Sequence, residues 1–134
     1  MNIEELIENF EFLGDWEERY RYIIELGRKL PEFDPSNRTE EYKVRGCQSQ
    51  VWLTYESTDE QLKFNMDSDA HIVRGLIAVV LIAIQNRSAA DIQQLDIEEI
   101  FSQLDLLAHL SVTRGNGLRA MVSRVKEVAR GYAT

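Results

Sequence analysis

The chain holds a single cysteine, Cys47, in the stretch KVRGCQSQVWL (residues 43–53), where an alternating apolar pattern breaks off and Gly46 stands beside the sulfur. Free cysteines commonly pack as small hydrophobes. A core cysteine, however, belongs inside a periodic apolar segment, and Cys47 occupies the gap between two such patterns, next to a residue whose backbone is permissive and lets a partner approach. Loop placement favours reactivity. The reactive form is the thiolate, scarce at neutral pH for a thiol with a pKa near about 8.5. Lys43 and Arg45 would help hold it if their side chains reach the loop tip; the plainer reading makes them solvated charges on a strand face.

Four chemistries fit a loop thiolate to different degrees. A cysteine hydrolase needs an imidazole to take the proton and a group to orient it. Only His71 and His109 are available, and each reads as a surface or capping histidine. A structural zinc site wants four Cys or His ligands and an iron–sulfur cluster several thiolates, which one cysteine does not supply. DSDAH (residues 67–71) starts like a calcium loop, but Ile72 stands where the glycine belongs and Ala78 where the bidentate glutamate belongs. Ser68 or Asp69 is better read as a helix N-cap, and no metal ligand set is expected. GNGLRA (residues 115–120) matches the dinucleotide pattern G-x-G-x-x-A in form only, since no strand precedes it and no acidic residue follows about 20 positions on. It reads as a turn with Asn116 capping the last helix. Sulfur relay, in which a thiolate takes the outer sulfur of a partner's persulfide, needs one cysteine, no internal base and no resolving thiol. It does need an accessible loop and shelter for the labile product, which Val51, Trp52 and Leu53 are expected to help provide.

The elements that must position the loop are legible from periodicity. Ile3, Leu6, Ile7, Phe10 and Leu13 share one helical face and the helix stops at Gly14; Asp15 then caps a second helix, with Glu18 completing a capping box, that runs to Pro31. Residues 31–41 form a polar connecting loop. Tyr42 and Val44 alternate with Lys43 and Arg45, VWLTYES resumes the alternation, and after a polar turn at 57–60 Leu62, Phe64 and Met66 mark a half-buried strand. The expectation is a meander of about three antiparallel strands with the cysteine between the first two. Ala70 to Gln85 is apolar nearly all round, as suits a buried central helix; Ser88 and Asp96 look like caps of two short helices, and Leu118 to Tyr132 carries the last apolar face. The class is α+β, with helices on one face of a small sheet.

Length and composition agree with one domain over residues 1–134, long enough to bury a core without staples. A net charge of −8 without a basic stripe argues against nucleic acid. The longest apolar run, Gly75 to Ile84, falls far short of the roughly 20 residues a bilayer span needs. The acidic beginning MNIEELIENF is unlike a secretory or transit peptide, so a cytoplasmic, reduced chain is expected.

The segment GCQSQVW (residues 46–52) resembles the signature of the SufE family of sulfur acceptors, partners of cysteine desulfurases in iron–sulfur cluster assembly. WEERYRYIIELGRKLPE (16–32), DSDAHIVRGLIAVV (67–80) and HLSVTRGNGLRAMV (109–122) are similar to its second helix, central helix and C-terminal turn and helix. The resemblance implies a fold like that of the IscU-type scaffolds without their cluster cysteines. It also implies that Cys47 accepts sulfane sulfur from a desulfurase of the SufS-like or CsdA-like kind, on a loop comprising Gly46, Gln48, Ser49, Val51 and Trp52, speeds that enzyme's turnover, and passes sulfur to a SufBCD-like scaffold. The pyridoxal phosphate belongs to the desulfurase, and no cofactor of this chain is implied. Thr113, Arg114 and Gly117 map to the family's Ser/Thr-Arg-x-x-Gly turn, whose arginine is associated with partner contact; Asp69, Lys43 and Arg45 complete the expected partner-facing set, with Asp69 influencing how readily the cysteine swings out. Homodimer formation stays open. So does the reading in which the chain only binds and activates a desulfurase, with Cys47 structural.

Overall fold

The structure, a computed structural model, describes residues 1–58 and 61–132. Two helices open it, α1 (Ile3–Phe12) and α2 (Trp16–Arg28). Asn2 and Asp15 start them by accepting hydrogen bonds at 2.9 Å from the backbone N–H groups of Glu5 and Glu18, donors that the first turn of a helix leaves unpaired. Leu6, Phe10, Ile23 and Leu26 turn inward while the glutamates stay in solvent.

Residues 31–50 cross to an antiparallel pair, β1 (Val51–Thr58) and β2 (Gln61–Ser68), whose register sets Leu53 opposite Met66 and Trp52 opposite Asp67. The expected third strand is reduced to one bridge, Lys43 with Trp52, and one hydrogen bond of 2.8 Å from Val44 N–H to Val51 O. A 3₁₀ turn takes up Glu40–Tyr42 on one side, and Gly46 (φ +95°) turns the chain away on the other, which leaves no room for a ladder. The cysteine loop therefore precedes the two-stranded sheet. The turn expected at 57–60 lies partly outside the described residues.

Alternation gives the sheet two faces. One presents Val51, Leu53, Leu62 and Met66 to α3 (His71–Ile84), the central helix, which has ten buried residues. The other face is covered near the cysteine loop by residues 31–41, whose Arg38 lies over Trp52 (5.9 Å to the ring centroid). The central helix begins where periodicity places it, but neither Ser68 nor Asp69 is its N-cap: Ala70 is, without a side-chain cap, and Ser68 Oγ accepts from Ala70 N–H at 3.2 Å.

α2 and α3 meet through glycine. A Cβ on Gly75 would lie 2.8 Å from the Ile23 carbonyl carbon, and one on Gly27 would lie 2.6 Å from Gly75 N, so the two backbones are in direct contact. Two short helices follow, α4 (Ala89–Gln94) and α5 (Ile97–Gln103), capped as expected by Ser88 and Asp96. The last helix, α6 (Val112–Tyr132), begins six residues before Leu118. The expected RGNG turn is its first two turns, and Ser111, not Asn116, takes the opening N–H groups: its Oγ accepts from Arg114 N–H and its carbonyl from Gly115 N–H. A glycine inside a helix costs about 1 kcal/mol relative to alanine; here Gly115 and Gly117 are both buried against neighbours that approach closely, Leu107 and Cys47. No described helix is long and apolar enough to cross a membrane.

Candidate functional site

The loop carrying Cys47 is fixed at both ends. Val44 N–H donates to Val51 O at the start; at the finish Asp69 holds Gln50 twice, its carboxylate accepting from Gln50 N–H at 3.1 Å and its own N–H donating to Gln50 O at 3.4 Å. Asp69 thus fastens the loop and caps no helix. Between those points the loop is tied to another element by the thiol: Cys47 Sγ donates to Gly117 O at 3.4 Å, onto the start of α6. Gly46 requires its glycine twice over, since φ is +95° and a Cβ would stand 3.1 Å from Ala120 Cβ. Gln48 is exposed and Ser49 half-buried.

Cys47 is itself half-buried, and burial pushes its thiol pKa upward from the ordinary value. Lys43 and Arg45, whose help to a thiolate depended on their reaching the loop tip, have another partner. Both are engaged by Glu40, Lys43 Nζ at 3.6 Å and Arg45 at 3.3 Å. At rest the group is a neutral thiol whose hydrogen points at a carbonyl oxygen.

Beside the sulfur lies a cavity of about 110 Å³. Its apolar wall comes from Val73 and Leu76 of α3 and Leu118 and Met121 of α6, and its remaining lining includes Gln48, Ser49, Thr113 and Arg114. Shelter therefore comes from two helices; Val51, Trp52 and Leu53 are buried in β1 and line none of it. Gly117 keeps the approach open, because a Cβ there would touch Sγ at 3.7 Å. Arg114 extends an exposed guanidinium that donates a hydrogen bond to the Tyr20 hydroxyl at 3.0 Å. No carboxylate neutralises it among the described residues, so a positive charge stands by the cavity.

Neither histidine lines the cavity. His109 stacks on Trp16, with ring centroids 4.0 Å apart, and His71 is exposed at the start of α3. The DSDAH carboxylates are committed elsewhere: Asp69 to the loop, and buried Asp67 to Arg38 at 2.7 Å and Arg74 at 3.0 Å. The second contact is an ion pair and not a hydrogen bond, since neither Asp67 Oδ1 nor Arg74 Nε is aligned for one. No group of three or more metal-ligating side chains occurs among the described residues.

Sequence reasoning finds Cys47, Gly46, Asp69 and Arg114 near one another in the fold. It misses the α3 and α6 residues that wall the cavity, and it misses Arg38, which it leaves in a polar connecting loop. The one available signal is Asp67, a carboxylate at a strand position next to the core, which demands a buried cation from some other part of the chain.

The family model described as "SufE: Fe-S metabolism associated domain" matches residues 4–129. An uncharacterized SufE-like protein of Rhizobium meliloti is 48% identical over 134 aligned positions, covering 97% of this chain and 96% of that protein. Another from Rhizobium etli is 51% identical over 133 positions, covering 96% and 90%. The solution structure of a hypothetical protein from Thermus thermophilus superposes with a TM-score of 0.78 over 96% of this chain and 93% of that one, at 18% identity, and so shares the fold.

Proposed function

Because the chain belongs to the SufE family, associated with iron–sulfur metabolism, we propose that it is a sulfur carrier in which Cys47 takes sulfane sulfur from the persulfide of a pyridoxal-phosphate-dependent cysteine desulfurase. The observation that carries this reading is the suspension of Cys47: a loop pinned at both ends and tied to α6 in the middle through the thiol, beside a small cavity with one apolar wall. One thiol suffices for the chemistry.

In the transfer the Cys47 thiolate attacks the outer sulfur of the donor persulfide, R–S–SH. The new S–S bond forms at Cys47 as the donor's S–S bond breaks, and R–S⁻ leaves and takes up the proton Cys47 gave. The sum is Cys47–SH plus R–S–SH giving Cys47–S–SH plus R–SH, with no net oxidation. Burial keeps the resting thiol protonated and slow. Breaking its bond to Gly117 O lets the loop lift the sulfur into water, where the thiolate forms more readily. Arg114 is then a cation on the docking side, suited to an anionic sulfur or a partner carboxylate. After transfer the apolar wall of the cavity, from α3 and α6, offers the added sulfur a place away from oxidants, until a cluster scaffold receives it.

Intact-protein mass spectrometry after incubation with a desulfurase and cysteine tests the reading. One added sulfur, removable by reductant, is expected on the natural chain and none on Cys47→Ser. The alternative, an adaptor with a structural Cys47, predicts undiminished stimulation of the desulfurase by Cys47→Ser. Stimulation that survives together with absent sulfur on the natural chain would overturn the carrier role. Hydrogen exchange adds a check on the motion: protection at residues 46–50 should fall when the desulfurase docks, and an unchanged loop would contradict it.

A further inference from the structure

A second cavity, about 530 Å³, shares no lining residue with the one at Cys47. Its floor is α3, at Ala78, Leu81 and Ile82; one wall is the end of α2 and the residues after it, at Leu26 and Leu30; the other is β2. Four consecutive β2 residues, 62–65, line it. Successive strand side chains point to opposite faces, so only a trough running along the strand's edge can meet all four. The ladder partner of β2 among the described residues is β1, and this is the other edge.

Two properties define what would fill the trough. The first is apolar surface in the wrong place: α3 is apolar nearly all round, a composition that calls for cover on every side, yet Leu81 and Ile82 are only partly buried here. The second is charge. Lys29 rises from the α2 wall and Lys63 from the β2 wall, both exposed, and neither forms an ion pair among the described residues. Glu56, the register partner of Lys63, also lines the trough but does not pair with it. On a chain of net charge −8, the trough thus combines an apolar floor with two lysines and one carboxylate, Glu56, and neither lysine is ion-paired among the described residues.

A volume of about 530 Å³ lies in the range of roughly 300–1,000 Å³ typical of small-molecule sites. Addition of a partner strand is disfavoured by Lys63 on this edge, since an edge lysine is a common guard against pairing. We propose that the trough binds a single-chain amphiphile with an anionic head, of the medium-chain alkyl carboxylate class, its chain on Leu81 and Ile82 and its head taken by Lys29 and Lys63. This site is independent of the chemistry at Cys47.

Titration of the ¹⁵N-labelled chain with decanoate, below the concentration at which it forms micelles, tests the proposal. Saturable amide shifts confined to residues 26–31, 62–65 and 78–85 are expected. The double change Lys29→Glu and Lys63→Glu alters exposed side chains and should leave the fold intact while weakening binding roughly tenfold, as two exposed ion pairs allow. Ile82→Glu should abolish it, with thermal unfolding used to confirm that the variant is folded. Decanol should bind roughly tenfold more weakly than decanoate. Shifts that do not saturate, or that fall outside the trough, overturn the site; equal affinity for decanol, or an unaffected double variant, overturns the anionic head.

Discussion

Gly75 and Gly117 both admit a close neighbour, but with very different slack. At Gly75 the added methyl group would sit 2.8 Å from the Ile23 carbonyl carbon, backbone against backbone, where nothing can give. At Gly117 it would meet Cys47 Sγ at 3.7 Å, an ordinary contact with the side chain of a loop. The first contact locks α2 to α3 and makes a rigid frame. The second leaves the thiol resting on α6 without being wedged there, as the proposed carrier function, in which it leaves and returns, requires. The frame and the slack contact are built by the same residue type, and the difference lies in what opposes it.

The largest effect is expected at the locked contact. Gly75→Ala forces a methyl group between two backbones, and overpacking of that kind costs about 3 kcal/mol or more. Thermal unfolding should show a large loss of stability or no folded protein; a change within about 0.5 kcal/mol would mean that α2 and α3 can slide apart.

Asp67 belongs to the frame as well. Its carboxylate is buried with Arg38 and Arg74 against it. Removing one partner of a buried pair strands the other charges, discounted here because Arg38 is half-exposed. Asp67→Asn should lower stability by about 2 kcal/mol in denaturant titration while Cys47 still accepts sulfur. Loss of acceptance with stability intact would move Asp67 from the frame to the site.

At the slack contact, Gly117→Ala should fold, and the gain in helix propensity, about 1 kcal/mol at most, should leave stability equal or slightly higher. Sulfur loading should fall several-fold, because the methyl group takes space beside Sγ that the second sulfur needs. Mass spectrometry and a melting curve on the same sample separate the two; undiminished loading would show that the cavity plays no part.

The smallest effect concerns pH. Burial raises the pKa of the Cys47 thiol, so the fold favours the neutral form. Between the unfolded value, about 8.5, and the higher folded one, the unfolded chain gives up its proton while the folded chain keeps it. The stability from this group is whole below that window and declines as pH climbs through it. Alkylation of Cys47 by iodoacetamide should accordingly be slower than that of a small free thiol at neutral pH, and its rate should go on rising with pH after the small thiol's has levelled off. Cys47→Ala should flatten the fall in stability. A fast reaction at pH 7 would mean that the thiol already lives outside its cavity.

Much of this was legible in residue order because local signals governed it. Asp15, Ser88 and Asp96 cap helices where short-range hydrogen bonding says they should, and Cys47 stands out because two strand patterns fail around it. Contacts across long separations were not legible. The alternation of Tyr42 to Arg45 is real, but a 3₁₀ turn and Gly46 with its positive φ leave it one bridge long. Gly115 and Gly117 read as turn formers since nothing in their neighbourhood reveals the leucine and cysteine that come to rest on them. Arg38 pairs with Asp67 across 29 positions. The all-round apolar character of α3 promised complete burial, and only the fold shows the uncovered stretch at Leu81 and Ile82.

The anchors at Val44 and Gln50 also set a leash. Six peptide steps separate them, and a chain that short, tied at both ends, lifts its midpoint by at most about 10 Å. A sulfur atom on it cannot reach into a deep foreign tunnel or sweep a wide radius. On the proposed carrier function, a protein that trades sulfur here must bring its own reacting atom out to the surface, so the choice of partner is made by whose contours let two sulfurs touch, before any chemistry begins.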